Sequence, residues 1–241
     1  MSNRNNNDRM GSAPIHTDAP QQKSILDFVS PTEFVELPSK GLAYAEDHPL
    51  HGQDVIEIRF MTAKDEDILT SETLLKKGIA LERLLENIIV DKTINPKSML
   101  IGDRNAVIIA ARASGYGNAY DTRTNCPKCG TGAEISFDLS NPKIQELDYE
   151  NLEFLTKNKA GNFVIKLPQT QFSVEVRLLT GEDEQYLAKL AQSKKKNKLG
   201  DSAMTDQYKL MIASVEGVTD KTTLAKFIEL MPAADSRFLR K

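Results

Sequence analysis

The chain has 241 residues, of which 40% are hydrophobic, and this is enough to bury a substantial core in one large domain or two small ones. Its 31 basic and 34 acidic residues give a net charge of −3 at pH 7, which argues against a nucleic-acid-binding protein with a broadly positive surface. No stretch is apolar for long enough to predict a membrane span, and the first residues lack the apolar core of a signal peptide. We therefore expect a soluble protein of the cytoplasm in which it is made.

The N-terminal segment, residues 1–24, is rich in Asn and nearly free of large apolar side chains. Such a segment cannot bury enough surface to offset the entropy lost when a chain becomes ordered. We predict a flexible arm there, which is either passive or becomes ordered on a partner.

The next elements form a first predicted unit at residues 25–145. Alternating apolar and charged residues predict strands, and a stripe of Leu and Ile after Gly78 predicts a core helix. In chain order, the unit is predicted to contain a short strand at 34–38, a strand at 55–61, helices at 62–70, 72–77 and 79–90, a buried helix at 102–117, and two strands at 119–124 and 133–139.

The turn between those last two strands, CPKCG, contains the only two cysteines of the sequence, Cys126 and Cys129. Two thiols two residues apart in a Pro- and Gly-containing turn have the form of a zinc-ribbon knuckle, but they supply only half of the four ligands that a structural zinc takes. His48 and His51 are candidates for the other half, because HPLHG has the same spacing as CPKCG. A metal-free turn and a site completed by another chain remain open, and the flanking strands do not favour redox chemistry.

A second predicted unit, at residues 146–241, repeats the order of the first. The stretch SVEVRLLTGEDEQYLAK, from Ser173, aligns without a gap with VIEIRFMTAKDEDILTS, from Val55. This unit is predicted to contain strands at 163–168 and 172–179 and helices at 180–195, 201–216 and 222–231. Near the end of the chain, Asp235 loosely echoes Asp103 of the first unit. The fold class is therefore α/β (mixed α+β), with two related units of a small sheet covered by helices and a zinc-ribbon-like hairpin.

In both copies a Thr opens the helix and an acid follows three residues later: Thr62 with Asp65, and Thr180 with Asp183. We predict that these four residues are structural caps, since first-turn backbone N–H groups are unpaired and lie at the positive end of the helix dipole. On this interpretation a Thr→Ala change costs about 1 kcal/mol and an Asp→Asn change about 0.3–1 kcal/mol. Paired catalytic acids are the alternative, but no accompanying His, Lys or Gly pattern supports an enzyme.

Lysines cluster near the end of the helix predicted at 180–195. They could contact an acidic partner, although a solvated helix end is the simpler interpretation. The cluster consists of Lys194, Lys195, Lys196 and Lys198.

Several blocks in a fixed order resemble the T-even-type phage baseplate family. The blocks are FVELPSKGLAY, EDHPLHG, MTAKDEDILTS, LLKKG, IGDRNAVIIAARASGYG and CPKCG, with MPAADSRFLR in the second unit. Members of that family are baseplate hub subunits or hub-assembly factors of contractile-tailed bacteriophages. Similar chains often carry a second Cys-x-x-Cys unit, which this sequence lacks, and this difference counts against an intramolecular zinc site.

The resemblance implies a baseplate hub protein, either a structural component or a chaperone. It would bind other tail and hub proteins during virion morphogenesis in the host cytoplasm, with self-association as a further option, and would then either leave or remain in the tail baseplate. A zinc-ribbon regulator that binds nucleic acid is the alternative suggested by CPKCG and the lysines, and the negative net charge opposes it.

Overall fold

The computed structural model of the chain describes residues 31–140, 156–200 and 202–240. The arm predicted at 1–24 and the boundary predicted between residues 145 and 146 lie outside these ranges. Within them, helices pack on small antiparallel sheets, which confirms the predicted mixed α/β class.

The first unit is built on a two-stranded antiparallel hairpin that faces a layer of helices. Val35 pairs with Ile56 across the hairpin, and both side chains are buried with Ile58 in the core. The helical layer contributes Leu85 and Ile88, which are fully buried. The elements are β1 (Thr32–Glu36), β2 (Val55–Arg59), α1 (Ala63–Thr70), α2 (Glu72–Lys77), α3 (Ala80–Ile88) and α4 (Ile101–Tyr116).

A separate antiparallel hairpin follows α4. It consists of β3 (Ala119–Asn125) and β4 (Gly132–Asp138), which pair with each other along their whole length and with no other described strand. Both strands are exposed almost throughout, so this hairpin contributes little to either core.

The second unit has a four-stranded antiparallel sheet in the order β5-β6-β7-β8. Its core contains Leu167, Val174 and Ile228, which are buried between the sheet and its helices. The elements are β5 (Thr156–Lys157), β6 (Phe163–Lys166), β7 (Ser173–Val176), α5 (Gly181–Lys196), α6 (Ala203–Met211), β8 (Ile212–Val215), α7 (Lys221–Leu230) and α8 (Ala233–Phe238).

The helix predicted at 201–216 is wrong beyond Met211, where the chain becomes strand β8. Ile212 and Val215 are buried against the sheet, and Val215 pairs with Val174 of β7. Branched side chains of this kind fit a pleated, half-buried surface, and the free edge of β7 offers backbone hydrogen-bonding groups with which this segment can pair. Tertiary pairing therefore overrides the helical pattern of the sequence.

The two units share the same strand register. Val35 faces Ile56 in the first hairpin, and Ile165 faces Val174 at the matching position of the second. In the first unit, Ile89, directly after α3, forms a β-bridge with Ile58. This bridge occupies the position that the pairing of β8 with β7 occupies in the second unit. The duplication predicted from sequence is thus a duplication of backbone pairing in the described residues.

Candidate functional site

The acid of the first repeat lies at the centre of a hydrogen-bonded clamp. Asp65 is fully buried and accepts hydrogen bonds from both terminal nitrogens of Arg59, at 2.7 and 3.0 Å. It also accepts from the backbone N–H of Thr62, at 2.9 Å, and from the Thr62 hydroxyl, at 2.8 Å. Thr62 is the N-cap residue of α1, so the carboxylate ties the end of strand β2 to the start of the helix.

The second repeat builds the same clamp. Asp183 accepts from both terminal nitrogens of Arg177, each at 2.7 Å, and from the N–H and hydroxyl of Thr180, at 2.9 and 3.0 Å. Thr180 is the N-cap residue of α5. The sequence alignment matched the two arginines, but their role was missed. The signal was available, since in each copy an Arg lies six residues before the acid.

Ion pairing keeps both acids charged. Burial alone would raise the pKa of Asp65, but hydrogen bonds from Arg59 and Thr62 outweigh it and hold this pKa at about 2. For Asp183 too, burial is outweighed by Arg177 and Thr180, and its pKa is lowered. A carboxylate of this kind is a weak proton acceptor near neutral pH.

Each unit contains a further buried acid, which holds a turn in place. Asp103, in the first turn of α4, accepts from the N–H and hydroxyl of Ser39, at 2.9 and 2.6 Å, and from the hydroxyl of Tyr44, at 2.8 Å. Asp235, in the first turn of α8, accepts from the N–H groups of Gln169 and Thr170, at 2.7 and 3.1 Å. Each acid therefore fixes the turn that follows a Leu-Pro pair. This shared role gives the sequence similarity between Asp103 and Asp235 a structural basis.

The two candidate histidines stabilise a loop. The Nδ1 atom of His48 accepts from the N–H of Leu50, at 3.1 Å, so its neutral ring donates from Nε2 to the Ser98 hydroxyl, at 2.9 Å. The Nδ1 atom of His51 donates to the carbonyl of Tyr44, at 2.9 Å. Burial lowers the pKa of His48, and the charge of nearby Asp47 offsets this only in part.

The cysteines lie elsewhere, in the turn that joins β3 to β4. Both Cys126 and Cys129 are exposed, and among the described residues no three His, Cys, Asp or Glu side chains come together as a metal site. The structure therefore does not gather His48 and His51 around the cysteine turn. Two thiols fit half of a tetrahedral zinc site, and zinc binding stays a prediction.

Cys129 has an unusual environment for an exposed thiol. Its sulfur lies 3.3 Å from the Thr131 hydroxyl, and hydrogen bonding with the Thr131 side chain and backbone, followed by that with Cys126, lowers the pKa of Cys129 to about 7. The turn is closed by two backbone bonds, from the N–H of Cys126 to the carbonyl of Thr131, at 2.9 Å, and from the N–H of Gly130 to the carbonyl of Cys126, at 2.8 Å.

The hairpin that carries this turn is amphipathic. Residues directly opposite each other in an antiparallel pair share one face. Tyr120 pairs with Phe137 and Thr122 with Ile135, and the Tyr120 and Phe137 rings lie 6.4 Å apart. Three of these side chains are large, apolar and exposed, with 43% of Tyr120 and 49% of Phe137 accessible to solvent. The opposite face carries Asp121, Arg123, Glu134 and Ser136.

One comparison with known proteins gives a match. The family described as "T4 bacteriophage base plate protein" matches residues 32–234, which is most of the chain. The chain belongs to this family. No curated protein and no solved structure matches it. The family links the chain to the phage tail baseplate, and other phage tail proteins are its partners.

The lysine cluster of this baseplate protein lies at the end of α5. Lys194 is paired with Asp206, at 2.5 Å, which fixes α5 against α6. Lys195 and Lys196 are exposed in the last turn of the helix, where positive charge interacts favourably with the dipole. None of the described helices is long and apolar enough to cross a membrane.

Proposed function

We propose that this baseplate protein acts by binding rather than by catalysis. In this proposal it is a structural component or assembly factor of the baseplate hub and holds other tail and hub proteins during virion morphogenesis in the host cytoplasm. The observation that carries the proposal is the apolar face of the β3–β4 hairpin, which the described helices and strands leave exposed.

Exposed apolar surface of this kind is typical of an interaction site. An isolated two-stranded hairpin is at best marginally stable in water, so burial of this face in a complex would stabilise the hairpin as well as the contact. Aromatic side chains are frequent anchors of protein interfaces. Arg112 lies 4.9 Å from the centre of the Tyr116 ring and 5.7 Å from that of Tyr120, which places a cation beside the apolar surface.

The buried acids support binding over turnover. Donors of the chain itself, from Arg, Lys, Ser, Thr, Tyr or the backbone, engage the carboxylates of the buried acidic residues Asp65, Glu82, Asp103, Asp183 and Asp235. A catalytic acid or base needs a proton position that faces a substrate. These carboxylates serve the fold instead.

Alternate residues of strand β4 provide the test and its control. In host cells infected with a phage that lacks this protein, variants are supplied in trans and hub assembly intermediates are purified. We expect Ile135→Ser and Phe137→Ser to lower incorporation at least tenfold, because truncation of a hot-spot residue at an interface costs about 2 kcal/mol or more. Ser136→Ala and Glu134→Gln, on the opposite face of the same strand, should keep incorporation within about twofold.

Normal incorporation of both apolar-face variants would refute the proposed surface. Mass spectrometry of mature virions then separates the two forms of the proposal, because a structural component is present in purified tails at fixed stoichiometry. An assembly factor is found only in the intermediates.

A further inference from the structure

The tip of the β3–β4 hairpin offers two thiols and no other metal ligand. We propose that two copies of this chain share one zinc ion at their hairpin tips, and that each copy supplies Cys126 and Cys129. The inference goes beyond the proposed hub function and does not depend on it, since it concerns the purified chain alone.

The first argument is the number of ligands. A structural zinc site takes four ligands in a tetrahedron, and thiolates are among its preferred donors. The whole sequence has two cysteines, and among the described residues no third His, Cys, Asp or Glu approaches them to form a metal-binding group. The described residues therefore leave two of the four positions on the metal to be filled. A second CPKCG turn fills them with the same chemistry and the same spacing.

The second argument is the shape of the turn. Gly130 has a φ of 71°, a conformation that favours glycine, and it brings the chain back so that its N–H bonds to the carbonyl of Cys126, at 2.8 Å. Both thiols are exposed. A twofold axis through one zinc ion would place two such turns face to face, in the isologous arrangement that is the commonest for homodimers.

The third argument is access. The strands β3 and β4 each have 7 residues, so the tip stands about 20 Å from the base of the hairpin at the usual rise per residue. Arg112 reaches Tyr120 at the base, and every residue from Thr124 to Thr131, around the tip, is exposed. Two hairpins can therefore meet at their tips without bringing the helical layers into collision.

The fourth argument is charge. A zinc ion with four thiolates carries a net charge of −2, and each exposed turn carries one cation next to a ligand, Lys128. Two copies thus supply two positive charges to the shared site. Each thiol gives up its proton as it binds the metal, so formation of the site releases protons.

The test uses the full chain, purified with a non-thiol reductant, freed of metal with a chelator, and then given zinc. We expect one zinc per two chains by elemental analysis, and light scattering should show the mass doubling with zinc and halving again with chelator. Cys126→Ser and Cys129→Ser should abolish both zinc binding and the dimer, while Ser136→Ala on the same hairpin keeps both. Lys128→Glu should weaken the zinc-dependent dimer at least tenfold.

Other outcomes would overturn the inference. One zinc per monomeric chain would indicate an intramolecular site, and the absence of zinc binding by the reduced chain would exclude the site. A dimer that resists chelator and is lost only with reductant would be a disulfide. Unchanged circular dichroism of the Cys→Ser variants would exclude misfolding as the cause of their loss of zinc. Phe137→Ser should retain the zinc dimer. Failure of this inference can therefore be distinguished from failure of the proposed hub surface.

Discussion

A single carboxylate organises each copy of the repeated strand and helix. Asp65 receives five hydrogen bonds, two of them from Arg59 and one, at 3.4 Å, from the Asn87 side chain. The Thr62 hydroxyl donates to that carboxylate instead of accepting at short range from the helix backbone. In the second copy the N–H of Asp183 reaches the Thr180 hydroxyl only at 3.5 Å. The acid therefore contributes more to this capping box than the hydroxyl does. The sequence predicted that Thr→Ala would cost more stability than Asp→Asn. This geometry predicts the reverse.

Asp65→Asn should lower the free energy of unfolding by about 2–4 kcal/mol, because it leaves the half-buried Arg59 guanidinium without its counter-charge. Thr62→Ala should cost about 1 kcal/mol, the usual value for a lost cap. Urea unfolding monitored by circular dichroism measures both. Asp183→Asn is the matched control and should cost less than Asp65→Asn, since the side chains of Arg177 and Asp183 are 33% and 12% exposed. Equal losses for Thr62→Ala and Asp65→Asn would contradict this assignment.

The same clamp makes stability depend on acid pH. The pKa of Asp65 is about 2 in the folded chain against an ordinary value of 3.8, so the folded state binds its proton more weakly than the unfolded state. The resulting stabilisation, about 2 kcal/mol, is complete above pH 4 to 5 and is lost as the pH falls toward 2. The stability difference between the wild-type chain and Asp65→Asn should therefore shrink steadily over that range. A difference that stays constant from pH 6 to pH 2 would show that the carboxylate charge is not the source.

The thiol of Cys129 should react at unusually low pH. With a pKa of about 7, set first by the Thr131 hydroxyl, it should reach half of its maximal alkylation rate near pH 7 when metal is removed. Thr131→Val removes that hydroxyl and should move the midpoint upward, toward the value of about 8.5 for an ordinary thiol. Mass-resolved labelling with iodoacetamide across pH 5–10 distinguishes Cys129 from Cys126. An identical midpoint in the wild type and in Thr131→Val would rule out this hydrogen bond as the cause.

At the scale of elements, the sequence predicted those helix ends that a single local residue determines. Gly78, in a left-handed conformation, ends α2 where the sequence placed its end, since Gly has no Cβ to strain there. Strand β8 could not be predicted in this way, because Ile212 and Val215 become strand residues only beside β7. The sequence alignment matched Arg59 with Arg177, but it did not predict that each pairs with an acid. Alternation along a strand does not indicate which polar partner a side chain contacts.

A glycine in the turn before β6 tests how closely the elements pack. A Cβ on Gly161 would lie 2.7 Å from the carbonyl oxygen of Ala43 and 2.8 Å from the carbonyl carbon of Tyr44, and the residue has a φ of 79°. Gly161→Ala should therefore destabilise the chain by about 2–4 kcal/mol, from backbone strain and overpacking together.

Gly52→Ala is the control for that substitution. Gly52 has a similar φ of 67°, but a Cβ there would meet nothing within 4 Å, so the change should cost only the strain of about 1 kcal/mol. Thermal unfolding of the two variants measures the difference. If both lose the same stability, the close approach of Gly161 to Ala43 is not a tight contact in solution.

At the scale of the whole molecule, the two related units are joined by bonds that no local pattern predicts. The N–H of Ile101 donates to the carbonyl of Leu179, and the N–H of Gly181 donates to that of Met99, both at 3.0 Å. Arg104, at the start of α4, pairs with Glu184 at the start of α5, at 2.5 Å. These pairs lie about 80 residues apart in sequence. The repeat could be recognised from the sequence, but the junction between its copies could not.

This junction predicts that the two units unfold together. Because the first turns of α4 and α5 share backbone hydrogen bonds, and because the described residues from Pro31 onward form one compact unit, loss of either sheet exposes the helix starts of the other. Calorimetry should therefore show one transition, with equal calorimetric and van't Hoff enthalpies. Arg104→Gln should lower the midpoint of that transition without splitting it, since the remaining backbone bonds still couple the units. Two resolved transitions in the wild-type chain, each matching a change confined to one unit, would show instead that the copies fold independently and that the junction is only a surface contact.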